Sequence, residues 1–141
     1  MDNNFNKLKF ISALLIMAAL TVSCSKISNL IKSENSLYFC ESYDPVKGEI
    51  GKSDKFTTGS LTVMVDLRPK KEKIGVTDVD INITDIKKNE VISTNPYTVS
   101  ANMDYIFFNN VTFDKLGTYK VSLLKKDASV VVSGVVEIVA K

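Results

Sequence analysis

The chain has 141 residues, with 18 Lys plus Arg, 16 Asp plus Glu, no His, and a formal net charge of +2 at pH 7. A charge so near neutral lacks the basic excess of nucleic-acid binders. Missing histidine removes Ser-His-Asp and Cys-His catalysis and His-ligated zinc. Hydrophobic residues at 45% and charged residues at 24% fit a globular domain, neither disordered by composition nor apolar enough for several membrane spans.

Lys7 and Lys9 precede an apolar run from Phe10 to Val22, and Ala18, Ala19 and Ser23 lead up to Cys24. This is the order of a secretory signal peptide. The run, about 13 residues long, falls short of the ~20 that a membrane-spanning helix needs. Leu20-Thr21-Val22-Ser23-Cys24 resembles the lipobox of bacterial lipoproteins, although Thr21 stands where that family most often has Leu. The resemblance implies cleavage before Cys24, a diacylglycerol thioether with fatty acyl chains on Cys24, and anchorage in the cell envelope. Loss of Lys7, Lys9 and Asp2 with the signal leaves a net charge of about +1. Ser25 resembles the residue that permits outer-membrane sorting in enteric bacteria, which implies the outer rather than the inner membrane. Ordinary secretion is the alternative, because Thr21 and Ser23 also form a small-x-small cleavage site.

The two cysteines separate these readings. With lipid on Cys24, Cys40 is the remaining thiol, either a small buried core residue or half of an intermolecular disulfide. Without lipid, Cys24 and Cys40 close a loop of about 15 residues, contributing about 3 kcal/mol in the chain-entropy picture. That bond would staple the linker to the first strand of a soluble secreted domain acting as inhibitor or carrier. Residues 24–36 are rich in Ser, Asn and Lys and read as a flexible tether. Within it Ile27, Leu30 and Ile31 have the spacing of one amphipathic turn.

From residue 37 to 141 the dominant period is two. Leu61, Val63, Val65 and Leu67 alternate with Thr62, Met64 and Asp66, and Val79, Ile81 and Ile83 alternate with polar neighbours, each the pattern of a half-buried strand. Further strands are expected at Leu37 to Glu41, Glu90 to Ser93 with Tyr97 to Ala101, Tyr105 to Phe108, Gly117 to Lys125, and Val130 to Val139. Asp44-Pro45, Thr58-Gly59, Lys87-Lys88-Asn89 and Asn109-Asn110 supply turn chemistry. No sustained helical period follows the tether, so about seven strands predict an all-β antiparallel sandwich. Phe113 to Leu123 resembles the E-F corner and F strand of immunoglobulin-like domains, which implies that Gly117 makes the turn and that the Tyr119 hydroxyl bonds back to the corner backbone. Val121 occupies the place of the antibody cysteine, so the likeness is to disulfide-free bacterial modules.

Chemistry-bearing residues are sparse. Asp78 and Asp80 share a strand face, and Asp66 and Asp85 lie near in sequence, but alternation already makes these positions polar and no calcium-loop spacing is present. No metal and no cofactor is expected. Cys40 sits among carboxylates, which oppose thiolate formation, and no Ser-x-x-Lys opens a helix, so an enzyme is the least favoured class. Lysines gather at Lys70, Lys71 and Lys73, at Lys87 and Lys88, and at Lys125 and Lys126. In an immunoglobulin-like order the first and third groups are the B-C and F-G loops, at the end that receives the N-terminus. There they would face anionic head groups, at about 1 kcal/mol per charge close to the surface. The expectation is a lipid-anchored, non-catalytic binding or structural module with the membrane as one partner and an envelope or host protein as another.

Overall fold

The computed structural model describes residues 34–141. The expected signal peptide, Cys24, and the tether through residue 33 with Ile27, Leu30 and Ile31 lie outside the described residues. Asn35–Lys141 forms one compact unit. Its strands are β1 (Ser36–Cys40), β2 (Ser42–Asp44), β3 (Gly48–Ile50), β4 (Lys55–Thr57), β5 (Gly59–Asp66), β6 (Asp78–Asp85), β7 (Glu90–Thr98), β8 (Tyr105–Phe113), β9 (Gly117–Lys125) and β10 (Val130–Val139), with a single 3-10 turn at Arg68–Lys70. Among the described residues no helix is long and apolar enough to cross a membrane.

Two sheets face each other, one of order β1-β5-β8 and one of order β4-β10-β9-β6-β7. The fold is all-β and sandwich-like, as the period of two predicts. In immunoglobulin lettering the first sheet is A, B and E, and β10, β9 and β6 are G, F and C. The core is built from the alternating inward residues: Val63 and Val65 of β5, Val79, Ile81 and Ile83 of β6, Ile106 and Phe108 of β8, Val121 and Leu123 of β9, and Val136 and Ile138 of β10. Transfer of apolar surface from water, at about 25 cal/mol per Å², drives the two faces together.

Several local expectations change. Asn109-Asn110 is a bulge rather than a turn: β8 runs through it, with Asn110 at φ 58° and a register shift opposite Leu61/Val63. Asparagine tolerates that left-handed conformation, which is why the pair reads as a turn in sequence. The two fragments expected at Glu90 to Ser93 and Tyr97 to Ala101 merge into the single strand β7, which contains Pro96 and ends at Thr98, so that Val99, Ser100 and Ala101 fall in the following loop. β7 is the last strand of its sheet, and an edge position does not require the N–H that proline lacks. Not every pairing is antiparallel, since β4 runs parallel to β10, Phe56 beside Ile138. Asp44-Pro45 turns between β2 and β3, an antiparallel hairpin too short to show a period.

The E-F corner is tied as the resemblance implies. Tyr119 Oη donates to the Lys115 carbonyl at 2.9 Å, and its ring lies 5.4 Å from that of Phe113. Gly117 has φ 153°, and a Cβ there would stand 3.3 Å from Tyr119 Oη. On the opposite side of the sandwich Gly134 of β10 lies against β1: a Cβ there would stand 2.2 Å from the Leu37 carbonyl oxygen. Replacing Gly134 by Ala should cost about 2–3 kcal/mol, because backbone rather than a side chain must move. Tyr119→Phe should cost about 1 kcal/mol through the lost corner bond. Urea unfolding of both variants checks the order; a Gly134→Ala midpoint equal to the parent's would mean that β1 and β10 have room to separate.

Candidate functional site

The registers define two poles. Ser36 pairs with Asp66, Asp66 with Tyr105, Asp78 with Thr98 and Val79 with Lys125, so the pole where the chain enters at Asn35 also carries the loops 67–77, 99–104 and 126–129. Asn35 is held there: its amide donates to Glu72 at 2.6 Å and its Oδ1 accepts the Lys70 N–H at 3.3 Å. Lys70, Lys71, Lys73, Lys125 and Lys126 all belong to this pole, whereas Lys87 and Lys88 lie in the β6–β7 turn at the other. Two of these lysines, and the neighbouring Arg68, meet carboxylates. Lys73 pairs with Asp104, Lys126 with Asp80 at 2.7 Å, and Arg68 with Asp66 at 2.7 Å. These pairs offset the charge of Lys73 and Lys126, and so part of the positive field that the five lysines alone would project toward head groups. Asp80 and Asp66 are thus engaged, on different sheets, and Asp78 accepts from Thr77. Among the described residues no three His, Cys, Asp or Glu side chains gather as a metal site would need.

The outer face of the three-stranded sheet is covered, which the alternation of β5 does not announce. Cys40 and Met64 on that face have 0% exposure and Thr62 3%, because the β2–β3 hairpin folds back across them. Tyr43 lies on the ring of Phe107 (4.7 Å) and edge-on to Tyr105 (6.1 Å). Glu49 accepts hydrogen bonds from both Tyr38 and Tyr105 through one carboxylate oxygen. Lys52 stands 3.8 Å over the Tyr38 ring and Arg68 3.9 Å over that of Tyr105. Burial pushes the Glu49 carboxyl up, but the bonds from Tyr105 and Tyr38 and the charges of Lys52 and Arg68 outweigh it, leaving the group below its ordinary value of 4.5. Burial first, and then Glu49, pushes the tyrosine hydroxyls the other way. Cys40 is a free thiol beneath this cover. Burial, then the Glu49 charge, raises its pKa, so it is protonated and shielded, the opposite of a nucleophile's setting.

A cavity of about 650 Å³ lies elsewhere, a groove along the side where β7 and β8, the edge strands of the two sheets, leave the sandwich open. Its walls are Ser93, Asn95 and Tyr97 on β7 and Asn110, Thr112 and Phe113 on β8. It reaches the pole away from Asn35, where Asp85, Lys88, Asp114 and Lys115 surround its mouth. Asn95 donates to Ser93 at 2.8 Å, and Tyr97 packs edge-on against Phe108 at 4.9 Å. Tyr119 closes the floor through its corner bond. Apolar surface and a few convergent polar groups in one concavity are the usual marks of a ligand site. The residue-by-residue reading of the sequence missed it, although polar Ser93 and Asn95 at every second position of a strand were the available signal.

Two effects should follow from removing the Glu49 carboxylate. Glu49→Ala should lower stability by about 1–3 kcal/mol and raise the rate at which a thiol reagent modifies Cys40 in the native protein by ~10-fold or more, through local opening of the hairpin. Because the folded-state pKa of Glu49 lies below its unfolded value, its contribution is complete above pH 4.5 and is lost as pH falls through the folded value. The parent should therefore destabilise more steeply below pH 4.5 than Glu49→Ala. Equal Cys40 protection in parent and variant would mean that the hairpin is held by other contacts.

Comparison with protein-family models finds no match, and no curated protein matches the chain in sequence, so its function is read from this geometry.

Proposed function

We propose that the chain is the precursor of a lipid-anchored protein of the bacterial cell envelope, non-catalytic, whose sandwich domain presents the β7/β8 groove as a binding face. The observation that carries the reading is positional: the groove reaches the pole opposite Asn35, and so opens away from the end by which a lipid on Cys24 would hold the domain. The signal pattern before Cys24 supplies the anchor, and Ser25 favours the outer membrane. Ion pairing of Lys73 and Lys126 weakens what Lys70, Lys71, Lys73, Lys125 and Lys126 together would add at the membrane, so lipid is the main attachment in this reading. The lack of histidine and the shielding of Cys40 support a binding rather than a catalytic role.

A soluble secreted domain stapled by a Cys24–Cys40 disulfide is the alternative. It is disfavoured by the 0% exposure of Cys40, since a disulfide to the linker would require the β2–β3 hairpin to lift from Met64 and Phe107.

The intact mass of the protein extracted from its own cell membranes, with thiol alkylation without reductant, tests the reading. The expected result is a chain beginning at Cys24 plus acyl mass, with one alkylation site that reacts only after unfolding. An unlipidated mass with no free thiol under denaturing conditions would establish the stapled domain instead.

A further inference from the structure

The β7 wall of the groove departs from the rule that governs the middle of the strand beside it. Register pairs Val79 with Tyr97, Ile81 with Asn95 and Ile83 with Ser93, and paired residues project to the same face of a sheet. On β6 that face is fully buried and aliphatic. One strand over, the same face carries a hydroxyl, an amide and a phenol, all half-buried. Places where polar residues occupy core-facing positions are where a fold concedes stability to function.

These groups are also uncommitted. Within the described residues the Tyr97 hydroxyl, the Asn95 side-chain oxygen, the Asn110 side-chain amide and the Asp114 carboxylate have no hydrogen-bond or ion-pair partner in the protein. Tyr97 has its pKa raised by burial alone. The walls therefore offer donors and acceptors intermixed, beside the apolar surfaces of Ile92, Pro96 and Phe113.

An extended peptide adding a strand is the usual ligand of an open sheet edge, but both edges here are guarded against it. Pro96 removes a backbone donor in the middle of β7, and the bulge at Asn110 bends β8 where a new strand would need a straight ladder. Recognition is left to side chains. A ligand that gives and accepts hydrogen bonds at each polar group and lays C–H faces on Tyr97 and Pro96 satisfies this lining without carrying net charge.

We propose that the β7/β8 groove binds a neutral oligosaccharide through Asn95, Tyr97, Asn110 and Asp114. This rests on the groove being the binding face described above. The test uses the native lipidated protein, ¹⁵N-labelled, in dodecylphosphocholine micelles, which carry no sugar. Chitohexaose, maltohexaose and cellohexaose are titrated separately to about 10 mM, and the hexamer that binds distinguishes an acetamido sugar from an α- or β-linked glucan. Saturable shifts confined to residues 92–97 and 110–115, including the Asn95 and Asn110 side-chain amides, are expected with at least one hexamer. Tyr97→Phe and Asn95→Ala should each weaken binding by ~10-fold, and Asn110→Gly, which keeps the left-handed backbone, should do the same, all with unchanged spectra elsewhere. No saturable shift with any hexamer, or shifts that survive these variants, overturns the sugar proposal. A peptide-display selection run in parallel separates the two levels: peptides whose binding is lost in the same variants keep the groove as the binding face while removing the sugar, and failure of both ligand classes to reach these residues removes both.

Discussion

Where Gly134 of β10 passes β1, the strands approach so closely that a Cβ would meet the Leu37 carbonyl oxygen at 2.2 Å. Side chains of ordinary size hold packed sheets about 10 Å apart, so closure along this side needs a residue without one. The β4 strand then runs parallel to the end of β10 and seals the same side. Two twisted sheets that meet along one side diverge along the other. The groove between β7 and β8 is the consequence, and its walls are the inward residues Ser93, Asn95 and Tyr97 of β7 and the end of β8 around Phe113, each strand being the last of its sheet.

The three-stranded sheet faces a different problem. With Tyr38, Cys40, Met64 and Phe107 on its outer side, it is apolar on both faces, and one face would meet water. Folding the Ser42–Ile50 hairpin across it covers Cys40 and Met64 and leaves the rings of Tyr43 and Phe107 stacked at the margin. The hairpin is too short to hold itself. Its attachment comes from Glu49, which accepts from two tyrosines that reach it from β1 and β8, with Lys52 and Arg68 offsetting the cost of partly burying a carboxylate. Stability of the cover and inertness of the thiol below it thus have one origin.

Function in this reading follows from the separation of the poles. Loops 67–77, 99–104 and 126–129 gather around the entering chain, and part of their positive charge is met by Asp104, Asp66 and Asp80 in exposed pairs that contribute little to stability. The opposite pole carries the corner held by Tyr119 and the mouth of the groove. A rigid corner next to a half-buried polar wall is a suitable support for recognition, because side chains on strands are held more closely than those on loops.

Much of this was legible in sequence. The alternation of Val79, Ile81 and Ile83 and of Leu61, Val63 and Val65 specifies strands and names the core, because a pleated strand puts every second residue on one face. Gly117 and Tyr119 specify the corner, because both act within a few residues of one another. The same residues do not say which strand lies beside which, since backbone ladders carry no residue code, so the pairing of β7 with β6 rather than β8 is invisible until the sheets assemble. Nor does alternation say what covers the outward face: Met64 and Thr62 read as the exposed side of β5 and are buried only by a hairpin from elsewhere in the chain. The sequence by itself determined the long alternating strands, the core face and the corner, all local consequences of period and turn chemistry. Tertiary structure alone decided the covered face, the ion pairs of Lys73 and Lys126 and the open groove, each of which depends on contacts between segments far apart along the chain.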